Sequence, residues 1–219
     1  MSLTKSEIIE ALESKLKGAK FRILNEVLYR KENKDINSEL FKKYHEGYKE
    51  QVEKWPFNPL SAVIKHLIKA DSKLVIADMG CGEAEIARKF RERTVYSFDL
   101  VKPEGCDLVE VSDIRSTPLK NDSVDIVIFC LSLMDEEVST YIEEAYRVLK
   151  PGGLMKIVEV RSRLGKIDSF VAPVSAHGFN LLKKDLESNC FCFFDFKKTQ
   201  KKPKSLPTIH LKPCVYKKR

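Results

Sequence analysis

The chain alternates between two hydrophobic periods. Short apolar runs recur at 74–78, 94–99, 106–111, 124–131 and 154–160, and stretches with apolar residues three or four positions apart fill the gaps, notably 60–70 and 138–149. Runs of this length closed by turn residues read as buried strands, and the longer period reads as helix. Their alternation predicts an α/β fold, a doubly wound and mostly parallel sheet. Ahead of it the pattern is helical only. Thr4-x-x-Glu7 makes a capping box before the stripe Ile8, Ile9, Leu12 and Leu16, and Phe21, Leu24, Val27 and Leu28 keep the helical period. Polar residues 33–38 form a connection. Leu40, Phe41, Tyr44, Tyr48 and Val52 then mark one face of a further helix that stops at Trp55-Pro56. The division expected is a helical segment over 1–60 and a core over 61–219. Past Arg161 the pattern weakens. Residues 167–176 read as a short helix broken by Pro173, and 179–186 with 190–197 as a terminal antiparallel strand pair. Phe191, Phe193, Phe194 and Phe196 are tempting as a base-stacking platform, but apolar residues on both strand faces favour sheet core.

One stretch carries chemistry: Leu74-Val75-Ile76-Ala77-Asp78-Met79-Gly80-Cys81-Gly82-Glu83-Ala84. An apolar run ends in an acid, turns on two glycines and enters a helical pattern. Glycines at alternate positions let a ligand press on bare backbone, and the following helix offers free N–H groups there. A dinucleotide fingerprint would place a third glycine where Ala84 stands. Asp78 would also repel a pyrophosphate. Its charge suits instead the α-ammonium and sulfonium of S-adenosyl-L-methionine, a cofactor without phosphate. Asp99 closes the next strand, Thr94-Val95-Tyr96-Ser97-Phe98-Asp99. That is the separation at which an acid ending strand two accepts both ribose hydroxyls.

The segments Asp78-Met79-Gly80-Cys81-Gly82, Phe98-Asp99-Leu100 and Arg147-Val148-Leu149-Lys150-Pro151-Gly152-Gly153 resemble those of class I S-adenosylmethionine-dependent methyltransferases. More narrowly, His45-x-Gly47-Tyr48-x-x-Gln51-Val52-x-Lys54-Trp55-Pro56, Phe129-Cys130-Leu131-Ser132-Leu133-Met134 and the ending Pro213-Cys214-Val215-Tyr216-Lys217-Lys218-Arg219 resemble the ribosomal RNA-processing protein 8 (nucleomethylin) family. The resemblance implies a Rossmann-like fold and makes residues 1–60 a lid carrying His45 to the cofactor. It also implies cofactor contacts at Asp78, Gly80, Cys81, Gly82, Asp99, Leu100, Asp113, Ile114 and Cys130, with Asp113 on the adenine amine and Ile114 over its ring. Ser132 and Leu133 would face the substrate. The family methylates N1 of an adenine in large-subunit ribosomal RNA, leaving S-adenosyl-L-homocysteine, so ribosomal RNA is the implied partner and the nucleolus of the nucleus the implied location. A silencing role in the family adds chromatin-silencing proteins as partners. A cofactor-sensing module with little turnover, and a methyltransferase of another RNA or small molecule, are the alternatives.

The residue types near the expected methyl site bear on this. Methylases of exocyclic amines use an Asn/Asp-Pro-Pro-aromatic turn after strand four, where this chain has Cys130-Leu131-Ser132-Leu133. A ring nitrogen with a free lone pair needs no general base, and no residue stands out as one. Six cysteines show no metal spacing, which fits a reducing, intracellular compartment and no metal. No apolar run is long enough to span a bilayer. Net charge is +7, unevenly spread: −5 over 61–153 and +10 over 154–219. A basic last third is read as facing a polyanion, or else as a solubilising tail. Arg161 and Arg163 are expected at the methyl-transfer mouth, with Lys197, Lys198, Lys201, Lys202 and Lys204 holding the flanking RNA backbone.

Overall fold

The computed structural model describes residues 18–29, 38–200 and 206–214. The expected capping box and helix over 4–16, most of the 33–38 connection, Lys201, Lys202, Lys204 and the ending 215–219 lie outside the described residues. Helices α1 (residues 18–29), α2 (Ser38–Glu53) and α3 (Pro59–Ile68) come first. Then follow β1 (Ile76–Met79), α4 (Glu85–Lys89), β2 (Val95–Asp99), β3 (Val109–Val111), β4 (Val124–Cys130), α5 (Ser139–Val148), β5 (Leu149–Val160), α6 (Arg161–Leu164), α7 (Ile167–Ala176), β6 (Phe179–Asp185) and β7 (Phe191–Lys198). The seven strands lie in the order β3-β2-β1-β4-β5-β7-β6. Pairing is parallel from β3 through β5, and β7 is inserted antiparallel between β5 and β6. Strand order reverses between β1 and β4, the crevice where open α/β sheets bind ligands at the carboxyl ends of their strands.

Local chemistry sets the boundaries. The Val75 N–H donates to the Asp125 carboxylate at 2.8 Å, so β1 starts at Ile76. Asn58 caps α3 by accepting from the Leu60 N–H at 2.9 Å, and Pro59 has no N–H to satisfy there. Arg93 closes the other end of that helical segment, donating to Leu67 O and Ala70 O. Leu149 pairs with Val124 and Leu154 with Ile126, so Lys150 to Gly153 bulge out of β5, close to the tight turn expected there. Contrary to expectation, α7 is not broken at Pro173. The proline falls in its second half, and the His177 N–H gathers the last carbonyls.

Alternate strand residues feed two cores. One face packs β-residues such as Met79, Phe129, Ile157, Phe194 and Phe196 against α5 and α7. The other packs Ile76, Ile128, Val158 and Phe191 against α3 and α4. The four phenylalanines of β7 are therefore mainly sheet core, with only Phe193 half-buried. The helices α1 and α2 pair through Phe21 and Tyr44, whose rings lie 5.4 Å apart. Gly47 permits this approach, since a Cβ there would lie 2.9 Å from Phe21 Cβ. Their cluster takes in Val101 and Met134, just beyond β2 and β4, which seats the helix pair over the carboxyl ends of the sheet. Residues 206–214 run back past α5, where Ile209 O accepts from the Val138 N–H, and finish with Cys214 O accepting from Asn25 Nδ2 of α1 at 2.8 Å.

Candidate active site

The loop after β1 doubles back over β2: the N–H groups of Gly80 and Cys81 both donate to Phe98 O, at 2.8 and 3.0 Å. Gly80 lies at φ +77°, in the region glycine favours. The sequence suggests that bare backbone is needed there for a ligand. The structure adds a neighbour within the protein, because a Cβ on Gly80 would collide with Ser132 Cβ. The loops after β1 and β4 thus touch.

Two acids define the crevice. Asp99 is buried at the end of β2, where it accepts from the Gly82 N–H at 2.8 Å and the Val101 N–H at 3.3 Å. His45 of α2 reaches it from above, its Nε2 3.6 Å from Asp99 Oδ1. Asp78 is different. It is 3% exposed, and its carboxylate accepts no hydrogen bond from the described residues. Burial, with Asp99 and Glu85 adding repulsion, pushes its carboxyl up to about 7. Such an orphaned buried acid is costly unless a cation meets it. That is the acceptor an amino-acid ammonium requires, and the residues present fit S-adenosylmethionine. Leu100 is 46% exposed beside Asp99, and Ile114 is buried after β3, the apolar surfaces an adenine ring would use. Asp113 is expected to meet the adenine amine. Burial raises its carboxyl, but Arg115 outweighs this through side-chain and backbone donors and holds it below the usual value. Arg115 binds both its oxygens, so only the remaining lone pairs are open to a ligand. Burial pushes the Cys81 and Cys130 thiols up, which makes both apolar wall rather than nucleophile.

Beyond β4 the chain leaves through Leu131 at φ +60°, an uncommon backbone state for a branched residue. Ser132 follows, buried, with no hydrogen-bond partner for its Oγ among the described residues. Leu133 does not face a substrate as expected, because its side chain is wholly within the α5 core.

The basic residues divide more sharply. Arg163 stands near the mouth but does not face it. It is 1% exposed and lies 2.8 Å from Glu159 Oε2, with donations to Leu133 O, Asp135 O and Lys212 O, and its guanidinium lies over Tyr29 at 4.3 Å. No charge is left for phosphate. Lys198 is likewise buried, held by Asp122 and Leu149 O beneath the Tyr146 ring. Arg161 is exposed, but its Nη1 braces the β6–β7 hairpin through Leu186 O and Ser188 O. Lys197 is exposed yet remote, since it pairs with Leu154 while Phe191 pairs with Val160 at the mouth. Six strand residues put it about 20 Å away, at the amino-terminal pole. Sequence reasoning missed the Glu159–Arg163 pair. Its signal was an acid within the apolar run of β5, followed four residues later by an arginine.

The strand order, the reversal at β1/β4 and the acids closing β1 and β2 define the class: this is a class I S-adenosylmethionine-dependent methyltransferase fold. A solved Burkholderia thailandensis 1,6-didemethyltoxoflavin-N1-methyltransferase, with S-adenosylhomocysteine bound, shares the fold at TM-score 0.59 and 17% identity, covering 74% of this chain and 87% of that one. Within the class, the chain belongs to the ribosomal RNA-processing protein 8 family. The family described as a hypothetical methyltransferase matches residues 7–219. Ribosomal RNA-processing protein 8 of Dictyostelium discoideum is 42% identical over 100% of this chain and 61% of its own length. That of Arabidopsis thaliana is 39% identical, over 98% and 79%. The 25S rRNA (adenine(645)-N(1))-methyltransferase of Schizosaccharomyces pombe is 40% identical, over 96% and 72%. The chain thus spans well under the full length of several relatives, only 47% of the rat protein. Among the described residues no helix is long and apolar enough to cross a membrane, and no His, Cys, Asp and Glu group could hold a metal ion.

Proposed function

We propose that this chain binds S-adenosylmethionine in the β1/β2/β4 crevice and transfers its methyl group to N1 of an unpaired adenine in large-subunit ribosomal RNA. The observation that carries the reading is Asp78, a buried carboxylate without a partner among the described residues, at the switch point of the sheet. When bound, the cofactor supplies an electrophilic methyl on a sulfonium. Asp78 would receive the α-ammonium and Asp99 the ribose hydroxyls, while Leu100 and Ile114 would flank the adenine and Asp113 its amine. Residues 1–60 act as the lid over the 61–219 core, with His45 presented to Asp99 by α2. Positioning is the main task left to the protein. The adenine N1 lone pair forms the new bond as the methyl–sulfur bond breaks, and positive charge passes from sulfur to the purine. No proton leaves, so no base is required, which suits a β4 exit of Cys130, Leu131 and Ser132. Because N1 lies on the pairing edge, the target must be unpaired or extruded. Support comes from the named activity of the Schizosaccharomyces pombe relative and from the ribosomal RNA-processing names of the others. The reading places the protein in the nucleolus with ribosomal RNA as partner. Chromatin-silencing partners belong to the same family reading, although no described surface singles them out. The test is to map N1-methyladenine across ribosomal RNA in cells carrying the gene, lacking it, or carrying Asp99→Ala. Loss of one methylated adenine in the last two supports the proposal; an identical map in all three overturns it.

A further inference from the structure

On the α3 side of the sheet, helix covers β4 and β5 but leaves β7 and β6 open. There β7 presents Phe193, Asp195 and Lys197 at alternate positions. The ladder sets them in cross-strand rows: Val158–Phe193–Asp185 near the mouth, then Lys156–Asp195–Lys183, then Leu154–Lys197–Asn180 at the amino-terminal pole. A cavity of about 320 Å³ lies between these rows and the Phe57, Val63 and His66 side of α3. A second, of about 450 Å³, continues toward the pole, sharing His66 and Lys156 and reaching Lys69 and the bulge at Gly152 and Gly153. Together they make one groove running from the pole toward the mouth.

The groove is lined by four lysines (Lys69, Lys150, Lys156 and Lys183) and four acids (Asp125, Asp185, Glu187 and Asp195), so what distinguishes it is where those charges sit. Asp195 neutralises Lys156 at 2.7 Å, and Asp125 neutralises Lys150 at 2.8 Å. Lys69, Lys183 and Lys197 are exposed with no ion-pair partner among the described residues. Asp185 and Glu187 are confined to the hairpin end. Burial pushes the His66 imidazole below its ordinary value, and Lys156, Lys183 and Lys69 push it further, against Asp195. Lys183 and Lys69 lie on either side of His66 along the groove, and Lys197 reaches the Gly152 bulge beyond it, where phosphates could meet them. In the first cavity, Phe57 is 39% exposed and stacked on Phe193, ring centroids 6.4 Å apart and planes at 22°. Phe57 also meets Phe191 edge-on at 5.6 Å, and the part of its ring left exposed is what a base could cover. At the mouth Arg115 pairs with Asp113 and Asp135, which leaves Asp78 and Asp99 as the acids of the crevice.

We infer that this groove is the track of a single-stranded RNA segment flanking the target nucleotide, with phosphates on Lys69, Lys183 and Lys197 and a base stacked on Phe57. The inference rests on the RNA-methylating reading above and adds where the substrate is held. Unpaired lysines beside aromatic rings are the arrangement by which proteins bind single strands without reading sequence. It would let the chain grip its substrate away from the acidic crevice and feed one base toward the methyl group.

The 219-residue chain, as wild type, Lys69→Glu/Lys183→Glu and Phe57→Ala, is titrated against a labelled, unstructured oligouridylate by fluorescence anisotropy over a range of salt. The double variant should bind about tenfold or more weakly, with the log–log salt slope smaller by about 1.4, two phosphate contacts at about 0.7 each. Phe57→Ala should lose about fivefold or more with the slope unchanged. Affinity for S-adenosylhomocysteine should stay the same in all three. A double variant that keeps wild-type affinity and slope overturns the groove, as does a wild type that does not bind the oligomer. Equal losses in Lys89→Glu/Arg91→Glu, at the end of α4, would show diffuse attraction and overturn it too. The ribosomal RNA map separates the two claims. Methylation that survives the groove variants with unchanged RNA binding sinks the groove alone, whereas groove-dependent RNA binding with no methylated adenine sinks the enzymatic reading alone.

Discussion

Asp78 offers the sharpest test of the cofactor site, because its environment couples binding to pH. The folded, cofactor-free chain holds this carboxyl at about 7, against an ordinary value of 3.8. An α-ammonium would meet only the ionised form. Observed affinity should then scale with the ionised fraction, about one tenth at pH 6 and nine tenths at pH 8, a tenfold rise worth about 1.4 kcal/mol. Binding near pH 7 should release about half a proton, read by calorimetry in buffers of different ionisation heat. S-adenosylhomocysteine is the right probe, since it keeps the ammonium but has no sulfonium. Asp78→Asn should bind about tenfold or more weakly, lose the slope and release no proton. Stability should move in the opposite direction. A carboxyl raised on folding costs nothing below its unfolded pKa, and the cost grows as pH rises from about 4 to 7, reaching about 4 kcal/mol. Asp78→Asn should therefore melt higher than wild type at neutral pH without ligand while binding worse. Affinity that stays flat from acid to neutral pH in the wild type, or a variant that keeps the slope, would refute the assignment of Asp78 to the ammonium.

The other predictions concern neighbouring contacts. Gly80→Ala should destabilise the fold even without ligand, by about 1–3 kcal/mol in chemical denaturation, because the new methyl collides with Ser132 Cβ at a positive φ; loss of cofactor affinity with stability intact would contradict this. Arg163→Met should cost about 3–5 kcal/mol by stranding Glu159, and adding Glu159→Leu should restore much of it; a double variant no more stable than the single would show that the pair is not the cause. His45→Ala should weaken S-adenosylhomocysteine binding a few-fold with little change in melting temperature, and unchanged affinity would make His45 an ordinary lid residue.

What the sequence discloses, and what it hides, divides along contact range. Asp78, Gly80, Gly82 and Asp99 are legible because strand, turn and acid are fixed within some twenty residues, and the ladder then brings two such units side by side. Ser132 beside Gly80 is not, since the contact joins loops after different strands. Arg163 reads as a surface charge because counting charges treats every arginine as solvated. Its burial is made by Tyr29, Leu133, Asp135, Glu159 and Lys212, which no local window holds together. Lys198 fails for a simpler reason. Successive residues of a strand point to opposite faces, so Lys197 and Lys198 cannot share one surface.

The position of the basic segment follows from strand direction alone. The parallel strands all end at the mouth, and a last strand antiparallel to them must end at the other pole. A terminal antiparallel pair therefore carries the lysines at its end away from the mouth. The +10 balance of residues 154–219 locates charge along the chain, and only topology says which pole receives it. With β7 reversed, Lys197 falls at the amino-terminal pole while the acids gather at the mouth. On the proposed RNA-methylating reading, methyl transfer to a polyanion would use two separate regions, one that attracts phosphate and one that attracts a sulfonium. On that reading the carboxylates proposed to hold the cofactor's cation, Asp78 and Asp99, lie in the crevice itself, and the RNA backbone would be held outside it.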